Sequence, residues 1–252
     1  MTIKKYSCLV LIMSSILNLT TFQSRAKKIE VVTEYFQRYQ VKNEDGSLDG
    51  FAVEVVEAIF KQTGDTANIS VLPWGGAYKK ALNEKNVMIF SISRTPNRQN
   101  KFKWVGILSN EPLYAWGLKT NFATKIDSLQ TLKSLIFVAI RDSYPDNILS
   151  SQGFTKVFRV TTQEQLLGMI YKDRAELLVS GKVGMEYRTQ VMGLDFGKLT
   201  RVYEFANLSS NLGIAFNLHS DFELVSSYQQ AFKNIEQSGQ LSTIKKKWDV
   251  EQ

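Results

Sequence analysis

The stretch Val87-Met88-Ile89-Phe90-Ser91-Ile92-Ser93-Arg94-Thr95-Pro96-Asn97-Arg98 passes from strand to helix in twelve residues. Val87 to Ser93 is apolar apart from its serines, the pattern of a strand buried on both faces. Thr95 is a favoured N-cap, and Pro96 suits the first helical turn, where its missing N–H costs nothing. A strand ending in hydroxyl residues beside a helix start gathers free backbone N–H groups, which favours an anion. Arg98, in that first turn, adds a planar fork suited to a carboxylate. Two readings stand side by side. Either this is an anion site at a strand end, or serines finish a strand and Arg98 makes a surface ion pair.

Outward from this segment the same order of elements recurs. Ile29–Thr33 reads as a strand, and two Asp-Gly turns, Asp45-Gly46 and Asp49-Gly50, follow it. Phe51–Thr63 is helical, with Val55, Val56, Ile59 and Phe60 on one face and Gly64 as C-cap. Ile69–Leu72 is a strand running into Pro73-Trp74-Gly75-Gly76, read as a turn, and Tyr78–Glu84 a short helix. Further on come a helix capped by Asp127 over Ser128–Ser134, a strand Ile136–Ile140 and a helix opened by Pro145. A strand Lys156–Val160 and a capping box Thr161–Glu164 then introduce a helix to Tyr171. Strand Glu176–Ser180, helix Gly184–Met192, strands Val202–Phe205 and Leu212–Asn217, and helices from Ser220 and Leu241 complete the chain. Repeated β-α-β units give an α/β class, with parallel or mixed sheets covered by helices. Their number suggests two lobes of ordinary domain size, with a cleft between them as the place to look for a site.

Composition narrows the chemistry. The 252 residues are 44% apolar and 22% charged, enough to bury a core. One His and one Cys cannot build an ordinary zinc site, and no metal or other cofactor is expected. Residues 1–26 read as a signal peptide: Lys4 and Lys5, an uncharged and mostly apolar run Tyr6–Leu19, then Ser24-Arg25-Ala26. Its removal takes Lys4, Lys5 and Arg25 and no acid, so the net charge falls from +7 to +4. Cys8 leaves with it, and a thiol-free exported chain suits an oxidising compartment. A dispersed +4 is no nucleic-acid signature, and Lys245–Lys247 reads as a solvated helix end. There is no nucleophile elbow, phosphate-binding glycine loop or dinucleotide fingerprint, and His219 has no partner for catalysis.

Two further segments could line a site. Arg141-Asp142-Ser143-Tyr144-Pro145 again sets a hydroxyl residue before a helix opened by proline. It reads either as a second anion-friendly start or as a plain capped helix. Tyr35, Phe36 and Tyr39 follow the first strand, and Trp74 and Tyr78 the second. These rings would wall a small-ligand pocket or pack the core.

The chain resembles a periplasmic solute-binding protein of family 3, the type that serves polar amino acid ABC importers. The resemblance is carried by Ile29–Tyr35, Asp45–Phe51 with its helix, Ser91–Arg98, Ser128–Leu132 and the tail Ser238–Trp248. It implies a type II Venus flytrap with two α/β lobes joined by two crossing strands, placed near Tyr114–Leu118 and Asn207–Gly213. Lobe 1 would comprise 27–115 and 210–252, and lobe 2 116–209. It implies a non-enzymatic, monomeric periplasmic protein that captures a small carboxylate, an amino acid or related organic acid, and delivers it to a membrane permease. A receptor-linked sensor or a dehydratase-like enzyme on the same scaffold are the alternatives.

By position, the resemblance makes Arg98 the clamp on the ligand carboxylate, with Ser91 and Ser93 beside it. Asp142 and Ser143 would contact the same group from lobe 2. Glu34 would enter the pocket, and Tyr35 and Trp74 would flank the ligand side chain. The chain departs from the pattern where an Asp usually meets an α-amine: Gly181, or Ser180 in a shifted alignment, stands there. Either Glu34 or Glu186 substitutes for it, or the ligand has no α-amine. Tyr144 also stands where a small residue is usual.

Overall fold

A computed structural model describes residues 26–36 and 38–250, so the expected signal peptide lies outside the described residues apart from Ala26. In the first part of the chain come β1 (Lys28–Thr33), β2 (Val41–Lys42), β3 (Leu48–Asp49), α1 (Phe51–Thr63), β4 (Thr66–Val71), α2 (Trp74–Asn83), β5 (Met88–Ser93) and α3 (Pro96–Gln99). A long strand β6 (Phe102–Leu118) then leads to α4 (Leu129–Lys133), β7 (Phe137–Ile140), α5 (Tyr144–Ser151), β8 (Val157–Val160), α6 (Gln163–Tyr171), β9 (Leu177–Ser180) and α7 (Lys182–Val191). A second long strand, β10 (Leu199–Asn217), returns to α8 (Phe222–Gln237) and α9 (Gln240–Lys247).

Eight strands hydrogen-bond in the order β4-β1-β5-β10-β6-β9-β7-β8. The parallel trio β4-β1-β5 lies on one side and the parallel trio β9-β7-β8 on the other. The antiparallel pair β10 and β6 joins them, β10 pairing with β5 and β6 with β9. Tyr114–Trp116 of β6 pair with β9. The β6–β10 register shifts most between Glu204 and Ser209.

Each half has its own core. In the first, α1, α8 and α9 bury Val55, Val56, Ile59, Tyr228 and Phe232 with Val31, Phe90 and Phe216 of the sheet. Fully burying one such aliphatic or aromatic side chain is worth roughly 1.5–3 kcal/mol. Lys247 Nζ and Trp248 Nε1 both donate to Glu54 Oε2, at 2.7 and 2.8 Å, and tie the end of α9 to α1. Both ends of the described chain thus build one half. The second half buries Leu132, Phe137, Leu149, Phe154 and Leu177. A third apolar cluster draws side chains from both, including Val32, Trp74 and Ile89 with Val138, Leu166 and Met185.

Some local expectations are corrected. The Pro-Trp-Gly-Gly segment is not a turn but the start of α2, with Pro73 at the N-cap and Trp74 buried. Its glycines disfavour helix by about 1 kcal/mol each, and burial of Trp74, Ala77 and Ala81 outweighs them. Ser128, not Asp127, caps α4 by accepting from Thr131 N. The capping box of α6 is Thr162 with Gln165, one residue beyond Thr161–Glu164. Ser220 does not cap α8, since its hydroxyl accepts from Asn86 N at 3.0 Å and Asp221 is the N-cap. The strands expected at Val202–Phe205 and Leu212–Asn217 are parts of the single β10.

Candidate functional site

The carboxyl ends of β1 and β5 face those of β7 and β9 across one cavity, the place where open α/β sheets hold ligands. The cavity has a volume of about 90 Å³, several times the ~10–15 Å³ that one water needs. Glu34, Trp74, Ser91, Ser93 and Arg98 line it from the first half, and Ser143, Tyr144, Gln163, Gly181 and Arg188 from the second.

Ser91 reaches the cavity through a bulge. The β10 register steps from Gly213–Ile92 to Ile214–Phe90, leaving Ser91 without an opposite residue. Its φ is 58°, a left-handed value that a non-glycine residue adopts only when its surroundings enforce it. Gln40, itself buried, donates to the Ser91 hydroxyl and fixes its direction.

Arg98 is 2% exposed although it carries a charge. Its guanidinium lies 4.9 Å from the Trp74 ring and 5.0 Å from the Tyr78 ring. Those rings stack on each other at 5.5 Å. Nη2 donates to the carbonyl of Asp142 at 2.9 Å, and Trp74 Nε1 donates to the same oxygen at 3.0 Å. Asp142 has φ 59°, which turns that carbonyl toward the opposite half. One backbone oxygen thus accepts two donors across the cleft. Burial pushes the Arg98 guanidinium below its ordinary value, and Tyr78, Asp142 and Glu34 counter that effect.

Arg188 is the second buried cation, 3% exposed. It projects from α7, lies 5.8 Å from the Phe36 ring and reaches the same cavity. Burial lowers it to about 10, opposed by Glu34, Glu111 and Glu164. Glu34 lies within the field of both arginines. Burial raises its carboxyl to about 7, and Arg188 and then Arg98 limit the rise. Glu111 on β6 is also raised by burial; it accepts from the Tyr39 hydroxyl at 3.3 Å. Its carboxylate fills the space a side chain at position 181 would enter: a Cβ on Gly181 would stand 1.9 Å from Glu111 Oε2.

Of the residues singled out in the sequence, Arg98, Ser91, Ser93, Ser143, Glu34 and Trp74 line this one cavity. Asp142 does not line it and takes part through its carbonyl. The Ser143 hydroxyl is engaged in capping α5, accepting from Asp146 N at 3.3 Å. Tyr35 is 45% exposed and outside the lining, where its neighbour Phe36 stands instead. Of the two acids considered for an amine, Glu34 lines the cavity and Glu186 does not. Sequence reading missed Arg188, Glu111, Gln163 and Gln40. The available signal for Arg188 was its position four residues after Gly184, on the same helical face. Glu111 had no local signal, since only strand pairing brings it to Gly181.

A family model for bacterial extracellular solute-binding proteins, family 3, matches residues 29–251. The chain belongs to that family. It has the two-lobed periplasmic-binding-protein fold, and family members are extracytoplasmic solute-binding proteins. Among solved structures it is similar to a histidine kinase sensor domain related to periplasmic binding proteins, with TM-score 0.80, 18% identity, and 89% of this chain and 96% of that one covered. It is similar to a mutant of ArgBP from T. maritima, with TM-score 0.77, 17% identity, and 90% and 97% covered. It is also similar to an ABC uptake transporter substrate-binding protein from Streptococcus pneumoniae with bound histidine, with TM-score 0.77, 17% identity, and 89% and 93% covered. Comparison with curated proteins finds no match. Among the described residues no helix is long and apolar enough to cross a membrane, and no group of three or more His, Cys, Asp and Glu could hold a metal ion.

Proposed function

We propose that this solute-binding protein captures a small carboxylate between its lobes in the periplasm and delivers it to the permease of an ABC importer, with no chemical step of its own. The observation that carries this reading is Arg98, a buried guanidinium packed against two stacked rings at the cavity and bonded to the opposite half. Burying a charge is expensive unless partners compensate, and a carboxylate in the cavity would complete the fork. Ser91 and Ser93 stand beside it as further polar contacts. The lobes of this reading are 27–115 with 210–252, and 116–209, hinged where β6 and β10 run between the halves. A ligand that touches both lobes selects the closed arrangement by its differential affinity for it.

The test is a thermal-shift screen of the purified protein against amino acids and amine-free carboxylates, with Arg98→Ala beside it. A ligand at 100 times its dissociation constant stabilises by about 2.7 kcal/mol, a shift of several degrees in a chain of this size. A shift lost in Arg98→Ala supports the reading. No shift with any carboxylate overturns it.

A further inference from the structure

Arg98 is not the only cation of the cavity. Arg188 enters from α7, on the other half, and both guanidiniums are nine-tenths or more buried. Among the described residues, Glu34 is the single carboxylate that lines the cavity. Glu111 is held behind Gly181 by its packing there and by the Tyr39 hydroxyl, and is not part of the lining. Two guanidiniums thus stand on opposite walls of one cavity, Arg188 in the field of Glu34, Glu111 and Glu164 and Arg98 in that of Glu34. Gln163 adds a buried amide oxygen that has no hydrogen-bond partner among the described residues.

Resting on the reading above that the cavity takes a carboxylate, we propose that its ligand is a small dicarboxylate, with one carboxylate on Arg98 and the other on Arg188. A monocarboxylate satisfies one wall and leaves the other cation to be balanced by protein acids alone. A diacid bridges the two halves through one fork from each, which couples its length to closure. Arg188 is then the specificity-determining residue, and Arg98 the general carboxylate anchor.

A diacid can come with or without an amine, and Glu34 distinguishes the two. The charged groups that face it are Arg188 from α7 and Arg98 from α3; Arg188 also faces Glu111 and Glu164, and Arg98 faces Tyr78 and Asp142. An amine-free diacid brings two negative charges, favours protonated Glu34 and binds more weakly as pH rises through about 7. An amino diacid offers its ammonium to ionised Glu34 and binds more tightly over the same range.

The experiment is calorimetric titration of the purified protein at pH 6 and pH 8 with succinate, glutarate, L-aspartate, L-glutamate, butyrate and L-alanine. At least one diacid is expected to bind ten-fold or more tighter than butyrate and alanine. Arg188→Met should abolish that preference, and Arg188→Lys, which keeps the charge, should restore part of it. The pH trend then assigns the source, falling affinity to the amine-free acid and rising affinity to the amino diacid. If monocarboxylates or alanine bind as tightly as every diacid, or if Arg188→Met leaves the preference intact, the dicarboxylate assignment is wrong while carboxylate binding itself stands. If nothing binds, both fall. Circular dichroism of both Arg188 variants separates loss of fold from loss of preference.

Discussion

Two segments written in nearly the same grammar face each other across the cleft. Ser91–Arg98 and Ile140–Asp146 each run from a strand end, through a hydroxyl residue, into a helix opened by proline. They do different work. In the first, Arg98 turns inward and is buried against the stacked pair Trp74 and Tyr78. In the second, Arg141 is exposed and the turn contributes the Asp142 carbonyl instead. In the second, the Ser143 hydroxyl caps its helix; in the first, the Thr95 hydroxyl is buried with no hydrogen-bond partner among the described residues. The difference teaches that shared local sequence fixes a strand-to-helix turn, while the direction of the arginine depends on what waits to receive it. Two stacked rings wait for Arg98, and solvent waits for Arg141.

The largest test of this contrast is at the two arginines. Arg98→Lys keeps the charge and loses the planar fork, so affinity for a carboxylate should fall by about thirtyfold or more, from the 2–5 kcal/mol that a buried charged hydrogen bond carries. Arg141→Lys should leave affinity unchanged in the same titration. Equal losses at both positions would erase the distinction between the walls.

The next effect concerns Glu34. Its carboxyl stands at about 7 in the fold against an ordinary 4.5, so the folded state holds the proton more tightly than the unfolded chain. Its contribution is fully present below about 4.5 and is lost as pH rises toward about 7, an effect of up to about 3 kcal/mol. Urea unfolding at several pH values should show that decline, and Glu34→Gln should flatten it. An unchanged slope in the variant would assign the proton elsewhere.

Smaller still is the capping contrast. Ser143→Ala removes the acceptor for Asp146 N and should cost about 1 kcal/mol, read as a melting point lower by a few degrees. Thr95→Val replaces a buried unpartnered hydroxyl by a methyl of the same shape and should be neutral or slightly stabilising. If Thr95→Val costs as much as Ser143→Ala, the Thr95 hydroxyl has a role in the unliganded protein that its surroundings do not reveal.

Much of the fold was legible because its signals are local. Alternation of buried strands with amphipathic helices such as α1 needs only neighbours in sequence, and so does a hydroxyl followed by proline. What failed locally failed for tertiary reasons. Pro73–Gly76 carries turn residues, yet the burial of Trp74 makes it helix. Ser220 has the sequence of a cap, yet Asn86 claims its hydroxyl. Of the seventeen-residue β6 only Tyr114–Leu118 was expected as strand, because its burial follows no single alternation.

The candidate site divides in the same way. Residues at strand ends and helix starts, such as Ser91, Arg98 and Ser143, announce themselves, because chain direction delivers them to one edge of a sheet. Arg188 and Glu111 do not, because one lies well inside a helix and the other on a crossing strand. By itself the sequence determined the α/β class, the family and an arginine in the first helical turn after a strand end. Only the tertiary structure decided which arginines are buried, that a second guanidinium shares the cavity, and that Glu111 occupies the space beside Gly181. Those outcomes depend on contacts between residues from 20 positions apart, Tyr78 and Arg98, to 152 apart, Phe36 and Arg188, and short-range periodicity carries no information about them.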